Sequence, residues 1–206
     1  MAKVKFTKGE LKKQRDSLKQ FRHYLPTLQL KKQQLQMKIL EAKKGLAQLE
    51  ANLEIKEAGI GEWSGLLADN PRIDLPTWIL PLEILTEEHN IAGANIPIFQ
   101  DIRFESSGYD LYETPLWVDK AIQELREYII LAVELDIIHR QIRILERELQ
   151  ITTQRVNLFE KVKIPECVDN IRRIRIYLGD QQANAVGIGK VAKKKVEDAK
   201  LLEVGA

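Results

Sequence analysis

From Leu11, alternating steps of three and four residues land on Leu11, Gln14, Leu18, Phe21, Leu25, Leu28, Lys32, Leu35, Ile39, Ala42, Leu46, Leu49, Leu53 and Lys56, and eleven of these fourteen are apolar. Around them lie Lys12-Lys13, Lys31-Lys32-Gln33-Gln34, of which Lys32 is itself a seam position, and Lys43-Lys44. One narrow apolar seam along an otherwise wet helix is the heptad signature of a coiled coil. At 1.5 Å per residue the pattern predicts a rod of roughly 75 Å. A second seam runs through Leu131, Leu135, Ile138, Ile142, Leu145, Leu149, Thr152, Val156 and Phe159. It resumes in shifted phase at Cys167, Ile171, Ile174 and Leu178, so Pro165 is expected to bend this helix without ending it.

The prolines divide the chain in the same way. Five of the seven, Pro71, Pro76, Pro81, Pro97 and Pro115, fall in one stretch, and each flank keeps only one, Pro26 or Pro165. The expected fold is mainly α: a long antiparallel two-helix coiled coil with a central insert that contains a β-hairpin. Its parts are a first long helix over 8–60, an insert over 61–115, a second long helix over 116–196 bent near Pro165, and a flexible tail over 197–206. Two amphipathic helices joined by one insert bury their seams most simply by folding back on each other. A helix pair has a thin core, so partners that surround it are expected to complete it.

Within the insert the pattern turns β-like from Pro81 to Phe104. Leu82, Ile84 and Thr86 alternate with other residues, Asn90-Ile91-Ala92-Gly93 supplies turn chemistry, and Ile96 to Phe104 is rich in isoleucine and phenylalanine. An isolated hairpin is marginal in water, so this one is expected to pack on the helices or to pair with another chain. Ile96, Ile98, Phe99, Ile102 and Phe104 are the candidate contacts for such a partner. Trp63, Trp78 and Trp117 lie in or beside the insert, where they either pack it or anchor a partner.

Net charge is only +2, yet it is unevenly placed. Residues 1–30 carry eight basic against two acidic side chains, and residues 161–200 carry ten against five. An antiparallel hairpin brings these two segments to one end, a basic tip in which Lys8, Lys12, Lys13, Arg172, Arg173 and Arg175 are candidate contacts. Residues 60–115 hold ten acidic residues against Arg72 and Arg103 alone, which makes an acidic foot. The two ends are expected to face different surroundings.

Catalytic chemistry has no visible home, and no cofactor or metal is expected. Gly187-Ile188-Gly189-Lys190 lacks the first glycine spacing of a phosphate loop and the strand before it. His23, His89 and His139 are far apart and lack ligand partners at metal-site spacing. Cys167 lies on the resumed seam without a neighbouring histidine, which points to a buried inert thiol rather than a nucleophile. Glu87-Glu88 reads as a solvated pair. The lysine and arginine clusters lack interleaved aromatic residues, so nucleic acid is not an expected partner. One cysteine allows no internal disulfide, and MAKVKFTKGE lacks the apolar core of a secretory signal, which together predict a cytoplasmic location. The longest apolar runs fall far short of the roughly 20 residues that span a bilayer, so membrane association is expected to be indirect.

The stretch Thr152-Thr153-Gln154-Arg155-Val156-Asn157-Leu158-Phe159-Glu160-Lys161-Val162-Lys163-Ile164-Pro165 resembles the C-terminal signature of the V/A-type ATPase D subunit in its bacterial form. So does the continuation from Glu166-Cys167-Val168-Asp169-Asn170 through Ile171-Arg172-Arg173-Ile174-Arg175 to Gly179-Asp180. Asn90-Ile91-Ala92-Gly93 with Ile96-Pro97-Ile98-Phe99 is similar to the family's central hairpin. Thr114-Pro115-Leu116-Trp117-Val118-Asp119 resembles the beginning of its second long helix, and Phe6-Thr7-Lys8 with Leu11 the beginning of its first. The resemblance implies a non-catalytic rotor shaft, part of the central stalk, that couples ATP hydrolysis or synthesis to ion translocation through a membrane ring. Both termini would lie within a hexamer of catalytic and non-catalytic chains (the A and B subunits). The foot would meet the small F subunit of the stalk and a funnel-shaped component leading to the membrane ring, so that the chain is peripheral to the membrane. A helical-hairpin stalk of another ATPase ring, as in a flagellar or type III export apparatus, is the alternative; it would need neither the central hairpin nor the TTQRVNLFEKV stretch.

Overall fold

The computed structural model describes residues 5–69, 75–105, 108 and 114–204, with the backbone alone at 68, 69 and 197–204. Lys3, Pro71, Arg72, Asp74, Asp110 and Glu113, which entered the proline and charge readings, lie outside the described residues. In chain order the elements are α1 (Lys8–Trp63), α2 (Leu66–Asp69), α3 (Leu75–Ile79), β1 (Pro81–Ile91), β2 (Ala94–Phe104), α4 (Trp117–Leu158), a π-helical turn (Phe159–Lys163) and α5 (Ile164–Val204). The chain is thus mainly α with a central β-hairpin. It divides into two compact units, one of residues 31–152 and one of residues 1–30 with 153–206.

In the unit of residues 31–152, α1 and α4 run antiparallel. Lys31 pairs with Glu148 at 2.9 Å, Lys43 with Glu146 at 2.7 Å, and the Trp63 indole N–H donates to Glu124 at 2.6 Å, so partners descend along α4 as they ascend along α1. Both α4 and the hairpin supply the core. Leu35 and Ile39 of α1, Leu145 of α4, and Ala94 and Ile96 of β2 form one buried cluster, with Ile91, Ala92 and Leu149 packed against it. A second cluster joins Leu75 of α3 to Val118 and Ile122 of α4, with Trp78, Ile79, Trp117 and Leu125 around it. Arg126 fastens the insert between these clusters. Its guanidinium donates to the carbonyls of Trp78 and Glu105, each at 2.8 Å, and lies 5.1 Å over the Phe104 ring. Gln141 adds a bond to the Pro97 carbonyl at 2.6 Å.

β1 and β2 pair antiparallel through a two-residue turn, Ala92-Gly93, with Ile91 opposite Ala94. Both turn residues have positive φ, 50° and 82°, as the hairpin turn that matches strand twist requires. Asn90 supports the turn by accepting the Gly93 N–H at 3.0 Å and donating to Asn95 at 2.6 Å. A left-handed conformation costs a residue with a Cβ about 1–2 kcal/mol. For Ala92 that cost is set against burial of its methyl on the cluster, worth about 0.8 kcal/mol, and the extra unfolded-state entropy that glycine would bring. Gly93 has no such compensation, and a Cβ there would lie 3.4 Å from the Lys31 ammonium. Gly93→Ala is therefore expected to lower stability by about 1–2 kcal/mol, with Ala92→Gly near neutral, as read by urea unfolding of the two variants. Equal losses in both would contradict the balance.

In the unit of residues 1–30 and 153–206, the start of α1 is capped by Thr7, whose hydroxyl accepts the Glu10 N–H at 3.2 Å in a Thr-x-x-Glu arrangement. α1 passes through Pro26 and loses only the bond to the Arg22 carbonyl, at an exposed position. Phe6 meets Tyr177 and Phe21 meets Phe159, each with ring centroids 5.0 Å apart, so α1 here runs antiparallel to the chain through the π turn and α5. Val156, Cys167, Ile171 and Ile174 are buried. The phase shift at Pro165 has a defined form. The Ile164 N–H reaches back to the Phe159 carbonyl, an i→i−5 bond that widens the helix just where Pro165 has no N–H and its ring would crowd Lys161. The extra residue in that turn advances the seam from Phe159 to Cys167. Backbone helix continues to Val204, so the tail expected over 197–206 is helical as far as it is described.

Candidate functional site

Three features are expected to act: the seam, the basic set and the hairpin set. Every seam position from Leu11 to Lys56 is buried or half-buried, as is every position from Leu131 to Phe159, and the deepest are Leu35, Ile39, Ile142, Leu145, Thr152 and Val156. In the basic set, Lys8, Lys12, Lys13, Arg172, Arg173 and Arg175 are all exposed. None of the six forms an ion pair or side-chain hydrogen bond among the described residues. Among the described residues their charge is unspent.

The hairpin set divides. Ile96 and Ile102 are 4% and 6% exposed and face inward, so they are core residues and not a free contact surface. Phe104 lies beneath Arg126, Phe99 is half-buried, and Ile98 alone of the five is exposed. The reason is docking: β2 lays one face on α1 and α4, which period-two alternation cannot reveal. The exposed apolar side chains of the hairpin are instead Leu82, Ile84 and Ile98, and Leu82 is 66% exposed where the strand pairing skips it. Ile84 and Thr86 face Ile129, Val133 and Ile137 of α4 across an open groove. Trp63, Trp78 and Trp117 pack the insert. Trp63 and Trp117 lie 6.4 Å apart by centroid, and Trp78 and Trp117 flank the Leu75 cluster.

The compact units also separate charge. Residues 31–152 hold 13 basic and 21 acidic side chains, a net of −8, whereas the other unit holds 19 and 9, a net of +10. Within the basic unit, Arg15, Lys19 and Arg22 of α1 and Arg172 and Arg175 of α5 rim an open groove of about 720 Å³. Arg15, Lys19 and Arg22 escape the heptad reading, which treats them as wet positions. Their i, i+4, i+7 spacing is the signal that marks them as one helix face.

The remaining candidate groups offer no reactive arrangement. Burial pushes the Cys167 thiol up, the Glu166 charge adds to that, and Lys163 opposes it. A thiol raised in this way is a poor nucleophile. The hydrogen bond between Lys56 and Glu127 raises the lysine and, with help from Gln123, lowers the carboxylate. His23 meets the Tyr24 ring edge-on, and no group of three or more metal-ligating side chains occurs among the described residues. Gly187 to Lys190 lie inside α5, where helical N–H groups are already bonded and cannot cradle a phosphate. Glu87 accepts a bond from Gln100 at 2.6 Å. No described helix is long and apolar enough to cross a membrane.

The chain matches the family of the ATP synthase D subunit over residues 10–194. It is 46% identical over 196 residues to the V-type ATP synthase D subunit of Borreliella burgdorferi, covering 95% of this chain and 96% of that one. It is 32% identical over 200 residues to the protein of the same name from Chlamydia abortus, covering 97% and 96%. With the Chlamydia felis protein of that name it shares 33% identity over 201 residues, covering 97% and 96%.

Proposed function

This chain belongs to the ATP synthase D-subunit family, whose members are non-catalytic, and on that premise we propose that it is the central rotor shaft of a V/A-type rotary ATPase. The charge partition is the observation that supports this most. A part turning inside a ring of other chains needs a surface that differs from the surface it presents to the stalk and the membrane ring. Here one compact unit is net +10 and the other is net −8. In this reading the basic unit lies within the hexamer of A and B subunits. The hairpin-bearing unit lies outside it, against the small F subunit and the funnel-shaped component, on the cytoplasmic side of the membrane.

Coupling then needs only an asymmetric shaft. Each angular position presents a different set of cations to each catalytic chain of the hexamer, so the conformations of those chains are biased by differential contact energy. No group of this chain takes part in the phosphoryl chemistry. The expected result, for a probe attached at Ser64→Cys in the reconstituted complex, is stepwise rotation driven by ATP. A probe that stays still while the complex hydrolyses ATP would refute the reading. Membership of the D-subunit family also sets aside the export-apparatus stalk.

The hairpin contact with the small F subunit is assigned to Leu82, Ile84 and Ile98, because Ile96 and Ile102 are occupied in the core. Removing the whole of 82–104 would open the Leu35 cluster and confound the result. Leu82→Asp with Ile98→Asp is the cleaner variant, since both sites are exposed. It is expected to weaken co-purification of the small stalk protein by at least about tenfold at unchanged helical content. If the small stalk protein is retained in full, the contact lies along the helices.

A further inference from the structure

The groove in the basic unit combines two features that a solvated coiled-coil face does not need together. Its rims are cationic on both sides, Arg15, Lys19 and Arg22 from α1 and Arg172 and Arg175 from α5, and among the described residues no carboxylate lines it. None of these five side chains has an ion-pair partner among the described residues. Its floor is apolar: Leu18, Val168, Ile171 and Ile176, of which Val168 and Ile176 are 44% and 56% exposed. Water contacts both. We propose that this groove takes an acidic amphipathic helix from a partner protein of the complex, which would lie along α1 and α5 as the third strand of a local coiled coil.

The chemistry selects that occupant over others. A third helix places an apolar seam on the floor and its two flanking rows over the rims, so acidic flanks meet cations on both sides at once. A phosphate or polyphosphate would leave the floor wet, and both walls are mid-helix, where backbone N–H groups are already bonded and cannot be offered. Single-stranded nucleic acid would need aromatic side chains to stack on, and none of the described residues lining the groove is aromatic. A second copy of the chain would bring the same cations against these. From Arg15 to Arg22 and from Val168 to Ile176 the walls extend roughly 10–12 Å, so the occupant contributes about two helical turns. The inference rests on the reading of the basic unit as the part that meets other chains of the complex, and names the chemistry of what it meets.

The test uses the full-length chain and synthetic helical peptides of about three heptads, followed by fluorescence anisotropy at low salt. One peptide has leucine at the seam and glutamate at the flanks. A second has lysine in place of glutamate, and a third has the first one's composition with the leucine phase scrambled. The glutamate peptide is expected to bind at least about tenfold more tightly than either. The variant Arg15→Glu, Lys19→Glu, Arg172→Glu, Arg175→Glu is expected to reverse the preference in favour of the lysine peptide. Val168→Gln with Ile176→Gln is expected to lower affinity for the glutamate peptide at least about fivefold with the rims intact. Circular dichroism of each variant checks that it is folded.

Four results would overturn the proposal: equal binding of the scrambled peptide, no reversal in the glutamate variant, displacement of the peptide by inorganic polyphosphate or phosphatidylserine vesicles at matched charge, or dimerisation of the chain through the groove in sedimentation. The peptide assay reads the groove alone, and the rotation assay reads the shaft in its complex. A chain that binds the peptide but does not rotate loses the functional reading and keeps the groove, and the reverse outcome keeps the function and removes the groove.

Discussion

Leu145→Ala is expected to destabilise the unit of residues 31–152 by about 3–4 kcal/mol, a large share of what a domain with so thin a core can hold. Leu145 is 1% exposed and lies between Leu35 and Ile39 of α1 and Ala94 and Ile96 of β2. Truncation therefore loses contacts to two other elements at once, and a helix pair has few neighbouring side chains able to collapse into the space. The hairpin should suffer first, since it depends on this cluster at its turn end while Arg126 and Gln141 hold only its other parts. Amide exchange in β1 and β2 is expected to accelerate in the variant more than exchange in α4. Leu40→Ala is the control: same side chain, one position past the seam residue Ile39, 58% exposed, with an expected change within about 0.5 kcal/mol. Urea unfolding followed by circular dichroism measures both. A loss below about 1 kcal/mol at Leu145 would mean that the hairpin is not held on the helices in the way described.

The seam could be read directly because a heptad is a local pattern; from Leu11 to Lys56 each position could be assigned without knowing what lay across from it. The hairpin was legible only in part. Alternation and Asn90 to Gly93 located the strands and the turn, but which face of β2 is buried depends on where it docks, and that information lies in Leu35 and Leu145, far away in the chain. Ile96 therefore looked like a contact and is core, while Leu82 looked like an ordinary strand residue and is the most exposed apolar side chain of the hairpin. At Pro165 the phase change was visible but its form was not, because a π turn and a kink shift the seam alike. The short helices α2 and α3, of four and five residues, carry no detectable periodicity. The basic groove is illegible in the sequence for a related reason. Seam reading sorts residues into apolar and wet, and Arg15, Lys19 and Arg22 gain meaning only when α5 brings Arg172 and Arg175 to the opposite rim.

Replacing Lys8, Lys12, Lys13, Arg172, Arg173 and Arg175 together by glutamine is expected to uncouple the complex while leaving the chain folded. All six are exposed and unpaired among the described residues, so their loss removes no ion pair or side-chain hydrogen bond described there, and each change is expected to alter stability by no more than about 0.5 kcal/mol. In the complex the same charges would meet acidic loops of the hexamer. At about 0.5–1 kcal/mol per partly solvated contact, six of them supply about 3–6 kcal/mol of preference among angular positions. Moving one elementary charge against a membrane potential of 100 mV takes about 2.3 kcal/mol, so a loss of that size is comparable with the work of one or two ions. A shaft that has lost it slips under load. The measurement is the ratio of ion transport to ATP hydrolysis in reconstituted vesicles, and the ratio is expected to fall at least about fivefold, most strongly when a potential opposes transport. High salt should imitate part of the effect in the unmodified complex, because screening acts on the same contacts. If the ratio holds within twofold at every potential, these cations do not carry torque, and the apolar seam and shaft shape alone must bias the hexamer.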